Sequence, residues 1–253
     1  MPTSSIPTLT ELFLAVRRGQ VPPPATIDPA LVPRDVAGAC AVQDAVGGFL
    51  GPIGGWKVGA DGPQAEPGAA PIHTATMFTT GATVPPDLCR HLGVEGEIGY
   101  RFAHALPARP EGYTRAEVLA AIGTIHPVIE IIDTRFEEPG SQHRLLHMAD
   151  QQSHGALIVG LGQPAWERVN PAEERVVLTV DDRTVADHVG GNAAGDPLRL
   201  LVWLANHASQ RGLGMAAGCL VTTGSATGTV FVGHGTDVKA SFPSIGQVTA
   251  HLA

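Results

Sequence analysis

The sequence predicts an α+β fold, with a helical N-terminal portion leading into a many-stranded, largely antiparallel β-rich body. Three observations carry this expectation. Helix-period apolar patterns open the chain, over residues 1–52. Short strand-like runs bounded by turn residues dominate the rest of the chain, and only two further helical patterns interrupt them. The composition agrees: 31 Gly and 21 Pro in 253 residues supply many turns, and 5% aromatics leave the core to Val, Leu, Ile and Ala.

Taken in order, TLTELFLAVRRG (8–19) reads as a helix. Thr8 with Glu11 forms a capping box, Leu9, Leu12, Phe13 and Val16 make the apolar stripe, and Gly19 stops it. PPPATIDPALVP is a loop, and residues 35–47 form a second helix with Asp35 as N-cap. After Gly54-Gly55, WKVG (56–59) is a short strand and GADGPQAEPGAAP a loop. Strands are expected at 94–102, 127–133, 156–160, 176–180, 184–189, 219–223, 229–232, 236–242 and 245–251. VVLTV-DDR-TVADHV and TVFV-GHG-TDVKASF both read as hairpins. The remaining helices are 114–123, with a Thr114/Glu117 capping box, and 196–212, with Asp196 at the N-cap, Pro197 at N1 and Gly212 past the end. No internal repeat or break in composition divides the chain. One domain over residues 1–253 is expected, with a helical portion at 1–52 and the β-rich body at 53–253.

A net charge of −8 argues against nucleic acid or an anionic membrane as partner. Cys40, Cys89 and Cys219 are scattered and odd in number, which points to a reducing compartment and away from a zinc or disulfide framework. MPTSSIPTLT lacks a basic stretch followed by an apolar run, and no apolar run approaches spanning length, so a cytoplasmic protein is expected.

The stretch VEGEIGYRF (94–102) places Glu95 and Glu97 on one face of a strand, with Val94, Ile98, Tyr100 and Phe102 on the other. Like charges about 6–7 Å apart along a strand repel, so the face is either open to solvent or holds a cation. Glu130 lies among Val128, Ile129, Ile131 and Ile132, where an unpaired carboxylate is costly. It is explained by a cation or by an arginine partner. By parity Asp133 faces the other way. Three carboxylates without Cys or paired His favour a hard divalent ion, Mg²⁺ or Mn²⁺. Lys57, flanked by Trp56 and Val58, either reaches out to water or serves an anionic substrate as charge and acid–base group. LVTTGSATG (220–228) is a turn whose N–H groups and hydroxyls suit a carboxylate. HRLLH (143–147) sets two histidines at helical spacing without an evident third ligand. Dinucleotide, P-loop and GxSxG motifs are absent from the sequence.

With GGWKVGA, VEGEIGYRF, PVIEIIDTRF, ADQQSHGALIVG, GDPLRLLVWLANH and LVTTGSATG in this order, the chain resembles the fumarylacetoacetate hydrolase superfamily. The resemblance is to its 2-keto-4-pentenoate hydratase and 4-oxalocrotonate decarboxylase branch, and spans about Gly54 to Gly246. It implies the family's C-terminal-type mixed sheet roll and a Mg²⁺ or Mn²⁺ ion on Glu95, Glu97 and Glu130. It also implies catalytic roles for Lys57 and Ser153, and a substrate border at Thr223, Gly224, Ser225 and His154. The activity implied is that of a lyase on a small anionic 2-oxo or 2-hydroxydienoic acid in aromatic catabolism, by hydration of a 2-keto-4-pentenoate-type substrate. Decarboxylation of 4-oxalocrotonate or oxaloacetate and acylpyruvate hydrolysis are the alternatives. A non-catalytic metal- or ligand-binding subunit is a second class. A homo-oligomer is expected. Two segments depart from the family pattern: His73 stands where an acidic residue is sought, and Gln151 replaces the Asn of ADNxS.

Overall fold

The computed structural model describes residues 5–253, with side chains from Thr8 onward. Met1–Ser4, on which part of the reading of MPTSSIPTLT rests, lie outside the described residues. The chain opens with α1 (Ser5–Arg17) and α2 (Val36–Leu50), then β1 (Ile53–Gly59), β2 (Gly68–His73), β3 (Met77–Thr79), β4 (Ala82–Val84) and β5 (Leu92–Phe102). It continues through α3 (Arg115–Ala120), β6 (Ile122–Ile132), α4 (Arg144–Ala149), β7 (His154–Val159), β8 (Arg175–Val180) and β9 (Arg183–Val189). Then come α5 (Pro197–Gln210), β10 (Leu220–Ser225), β11 (Val230–Val232), β12 (Thr236–Phe242) and β13 (Gly246–Leu252).

Several local expectations hold with their stated causes. Asp35 caps α2 by accepting from Gly38 N at 2.8 Å. Thr114 and Glu117 form the capping box of α3, and Asp196 caps α5 with Pro197 in its first turn. The 8–19 helix, in contrast, begins at Ser5, so Thr8 lies inside α1 rather than at its N-cap. Pro7 falls in the first turn, where its missing N–H has no partner to lose.

The strands form two sheets. The larger runs β2-β1-β10-β5-β6-β7-β3, with β11 also paired to β5; the smaller runs β4-β13-β12-β8-β9. Pairing is mostly antiparallel, and β1–β10, β3–β7 and β4–β13 are parallel. Two expectations are corrected. The GADGPQAEPGAAP loop ends in β2, whose small residues lack the β-branched signal of a strand. It is an edge strand, so Pro71 removes no inner ladder bond. TVFV-GHG-TDVKASF is not a hairpin, because β11 pairs with β5 while β12 pairs with β13 and β8 in the other sheet.

The main core lies between the sheets, built from side chains such as Val94, Ile98, Tyr100, Val176, Val238 and Phe242. Gly96 permits this contact: a Cβ there would stand 3.3 Å from both Ala240 Cβ and Val176 Cγ2. Since even-numbered residues of β5 face the small sheet, Glu95 and Glu97 face away from it. A second cluster joins Leu9 and Phe13 of α1 and Val42 and Val46 of α2 to Phe136, Leu145 and Leu146. The helical portion is thereby packed onto the segment that bounds the site. All three cysteines are buried and free.

Candidate active site

Register brings the acidic residues together. Glu95 on β5 pairs directly with Glu130 on β6, and Glu97 follows on the same face. Oxygens of the three carboxylates lie within 4.8 Å of one another. Lys57 sits on β1, three strands from β6 in sheet order, or about 14 Å across a flat sheet. The sheet rolls over this distance, and Lys57 Nζ reaches Glu130 Oε1 at 2.7 Å. It also donates to the Gln152 carbonyl at 3.0 Å.

Each carboxylate is individually supported. Glu97 is 1% exposed and accepts from the Thr222 hydroxyl and, at 3.1 Å, from Gly224 N. The Thr229 hydroxyl donates to Glu95. His154 Nδ1 donates to Glu130 Oε1 at 2.9 Å. These donors shape unequal acidities. Burial, then repulsion from Glu130 and Glu95, pushes the Glu97 carboxyl well above the usual range, and burial with Glu130 raises Glu95. Burial acts on Glu130 in the same direction, but Lys57 and His154 outweigh it and hold Glu130 low. Burial alone would lower Lys57; Glu130, Glu95 and Glu97 outweigh it and keep the ammonium charged.

With all three carboxylates ionised, the cluster and its one ammonium carry two negative charges, which one divalent cation would balance. The donors are all oxygen, as Mg²⁺, Mn²⁺ or Ca²⁺ prefer, and the unrelieved repulsion on Glu97 is what such an ion would remove. The residues present therefore fit a hard divalent ion.

The cluster floors a cavity of about 710 Å³, a size that suits a small ligand. Thr223, Gly224 and Ser225 border it where β10 leaves β5, in the register break between Thr222 and Ser225. Gly224 makes the break with φ +89°, a conformation other residues rarely adopt. Its carbonyl and that of Thr223 accept from Asn192 Nδ2, at 3.3 and 2.7 Å. The Thr223 hydroxyl donates away from the cavity, to Ile98 O at 3.0 Å.

Ser153 also lines the cavity, at the end of three consecutive left-handed residues, Gln151, Gln152 and Ser153. Arg135 holds this turn from beneath. Its guanidinium pairs with Asp150 at 2.6 Å and Asp133 at 3.3 Å, and donates to the Asp150 and His154 carbonyls on either side of the turn. Asp133, set by parity on the other face from Glu130, accepts from His91 N at 2.8 Å and takes no part in the carboxylate cluster.

The structure corrects one sequence expectation and decides two readings that the sequence left open. His154, expected at the substrate, is buried behind Glu130, and its second nitrogen meets Thr76 Oγ1 at 3.0 Å; it does not line the cavity. His73, sought as a stand-in for an acid, is buried against Gly51 O at 2.8 Å, whereas Asp61 and Glu66 do line the cavity. The HRLLH pair holds no metal geometry: His143 caps α4, and His147 bonds Ser153. Sequence reasoning missed Asn192, Thr222 and Thr229, since a polar residue in a Gly-Gly-Asn turn or a strand-end threonine carries no distinctive signal.

Comparison with known proteins identifies this arrangement. Residues 61–253 match the family model described as fumarylacetoacetate (FAA) hydrolase C-terminal. The chain belongs to this family. Among curated relatives, a 4-oxalocrotonate decarboxylase of Pseudomonas sp is 32% identical over 163 residues, 63% of this chain and 60% of the relative. A 2-keto-4-pentenoate hydratase of Paraburkholderia xenovorans (strain LB400) is 26% identical over 183 residues, 72% of this chain and 67% of the relative. The chain thus spans about 60% of the length of the decarboxylase relatives it matches. A solved 4-oxalocrotonate decarboxylase from Pseudomonas putida G7, complexed with magnesium and adipate, superposes with a TM-score of 0.84 at 23% identity over 98% of both chains. The expected family and its α+β roll are therefore shown. No described helix is long and apolar enough to cross a membrane.

Proposed function

We propose that this chain is a divalent-cation-dependent lyase that hydrates a small 2-keto-4-pentenoate-type acid. The observation that carries the reading is the cluster of Glu95, Glu97 and Glu130 within 4.8 Å, with Lys57 at 2.7 Å from Glu130, under a ligand-sized cavity. The three carboxylates would hold Mg²⁺ or Mn²⁺. When bound, the ion supplies a Lewis acid for negative charge developing on the substrate's C2 oxygen. Lys57 holds a proton beside the cluster and delivers it to a substrate carbon while the enol hydroxyl gives up its own proton, so that the dienol becomes the isomeric ketone; water then adds across the conjugated double bond. The Thr223–Ser225 loop binds the substrate carboxylate, and Ser153 orients the substrate. Gly59, Gly68 and Met148 also line the cavity.

Decarboxylation of 4-oxalocrotonate is a second reading, favoured by the 32% identical relative and by the neighbour at TM-score 0.84, both 4-oxalocrotonate decarboxylases. It uses the same site, with electrons from a departing carboxylate in place of water addition. The test is turnover of 2-hydroxypenta-2,4-dienoate, 4-oxalocrotonate, oxaloacetate and acylpyruvates, with Mg²⁺ or with EDTA. Loss of dienol absorbance without CO₂ supports hydration; CO₂ release supports decarboxylation. Turnover untouched by thorough metal removal defeats both, and stabilisation by an acid that is never converted marks a non-catalytic binding subunit. The expected homo-oligomer is part of the same proposal and is checked by mass in solution.

A further inference from the structure

His147 is bracketed by two bonds that fix its tautomer. The Gln142 backbone N–H donates to Nε2 at 3.2 Å, so Nε2 carries no proton and the neutral ring keeps its proton on Nδ1. Nδ1 lies 3.2 Å from Ser153 Oγ. The bond therefore runs from histidine to serine, and the serine oxygen is the acceptor. Burial lowers the His147 pKa, in keeping with a neutral ring, against a raising influence from Asp150 and a lowering one from Arg135.

The rest of the surroundings hold this geometry still. The ring packs edge-on against Phe136, with centroids 5.2 Å apart. Ser153 is itself held at φ +57°, the last of three left-handed residues that are not glycine. Lys57 and Arg135 bind carbonyls of that turn at Gln152, Asp150 and His154. A strained turn bound from several sides fixes where Ser153 Oγ lies. His147 adds what the backbone cannot, the direction of the hydroxyl proton. A serine that accepts from His147 has its own proton free for another acceptor, and Ser153 faces the cavity.

We propose that His147 is a positioning residue, whose Nδ1–H turns the Ser153 hydroxyl so that its proton points into the cavity toward an anionic oxygen of the reacting acid. This rests on the reading above that the cavity takes a small 2-oxo acid. His147 borders the same cavity beside Ser153 but is not part of the carboxylate cluster, and the effect proposed for it passes through the Ser153 hydroxyl.

Two measurements on the full, metal-loaded chain test it. Nitrogen-15 NMR of the imidazoles, with His147 assigned through His147→Asn, is expected to show Nδ1 protonated and Nε2 bare at neutral pH. The opposite tautomer or a charged ring overturns the proposal. In turnover, His147→Phe is expected to lower kcat about 10–100-fold with KM nearly unchanged. His147→Asn, which keeps an N–H donor near the place of Nδ1, is expected to recover most of that loss. The His147→Phe/Ser153→Ala double variant is expected to be no slower than Ser153→Ala alone. Additive losses, or no recovery with Asn, overturn the positioning role. Should the wild-type chain convert none of the acids, the functional reading fails separately, and the tautomer alone decides the direction of the His147–Ser153 bond.

Discussion

Replacing Glu97 by Gln is expected to make the metal-free protein more stable while removing its response to metal. Glu97 is 1% exposed and has two carboxylate neighbours within 4.8 Å. At an effective dielectric of about 20, two unit charges at that distance repel by about 3.5 kcal/mol. Lys57, the Thr222 and Gly224 donors, and proton uptake by Glu97 itself offset most of this. About 1–3 kcal/mol of relief remains, since the glutamine oxygen can still accept from Thr222 and Gly224. For a chain of this size that is a rise of about 3–8 °C in Tm. Thermal melts in EDTA at pH 7 measure it. Mg²⁺ at about 1,000 times its Kd adds about 4 kcal/mol to the wild type, so the order of stability should then reverse. A Glu97→Gln protein that melts lower than wild type in EDTA, or that gains as much from Mg²⁺, refutes the electrostatic reasoning.

Three further outcomes are expected from the same geometry. Gly224→Ala has steric room, its nearest new contact being 3.7 Å, but it must hold φ +89°; a cost of about 1–2 kcal/mol by urea melt and weaker Mg²⁺ binding by calorimetry are expected as the N–H shifts from Glu97. Arg135→Met leaves Asp150 buried without its main partner, at a cost of about 3–5 kcal/mol, and loosens the Ser153 turn, so both Tm and kcat should fall. Glu117 bonds Arg109 and the Thr114 cap, and Arg109 chiefly lowers its pKa to about 2. Its contribution is therefore present above the unfolded value near 4.3 and is lost as pH falls toward 2, so a small Tm deficit of Glu117→Gln at pH 7 should vanish by pH 2.

Much of the fold and the site was legible in the sequence because local chemistry set it. Alternation placed Glu95 and Glu97 on one face, and an Ile/Val run flagged Glu130 as a carboxylate needing a counter-charge. Asp35, Thr114 and Asp196 announced their helices through capping. Apart from the start of α1, the misreadings share one physical origin: each turned on pairing with a distant segment. β2 is a strand because β1 offers it an edge, not because GAAPIH favours extension. β11 leaves its sequence neighbour because β5 is free beyond the register break at Ser225. His154 belongs behind Glu130 because it starts β7, which pairs with β6, and no motif spacing conveys that depth. The HRLLH spacing left His147 without a role, and its neighbours, Gln142 N and Ser153, emerge only once α4 and the left-handed turn are in place.

Crystals grown with Mn²⁺ and measured at its absorption edge probe the core of the account. A single strong anomalous peak is expected between Glu95, Glu97 and Glu130, with oxygen distances near 2.1–2.2 Å, about the length typical of divalent-ion carboxylates. Carboxylates splayed apart with no peak between them would contradict the account at its root.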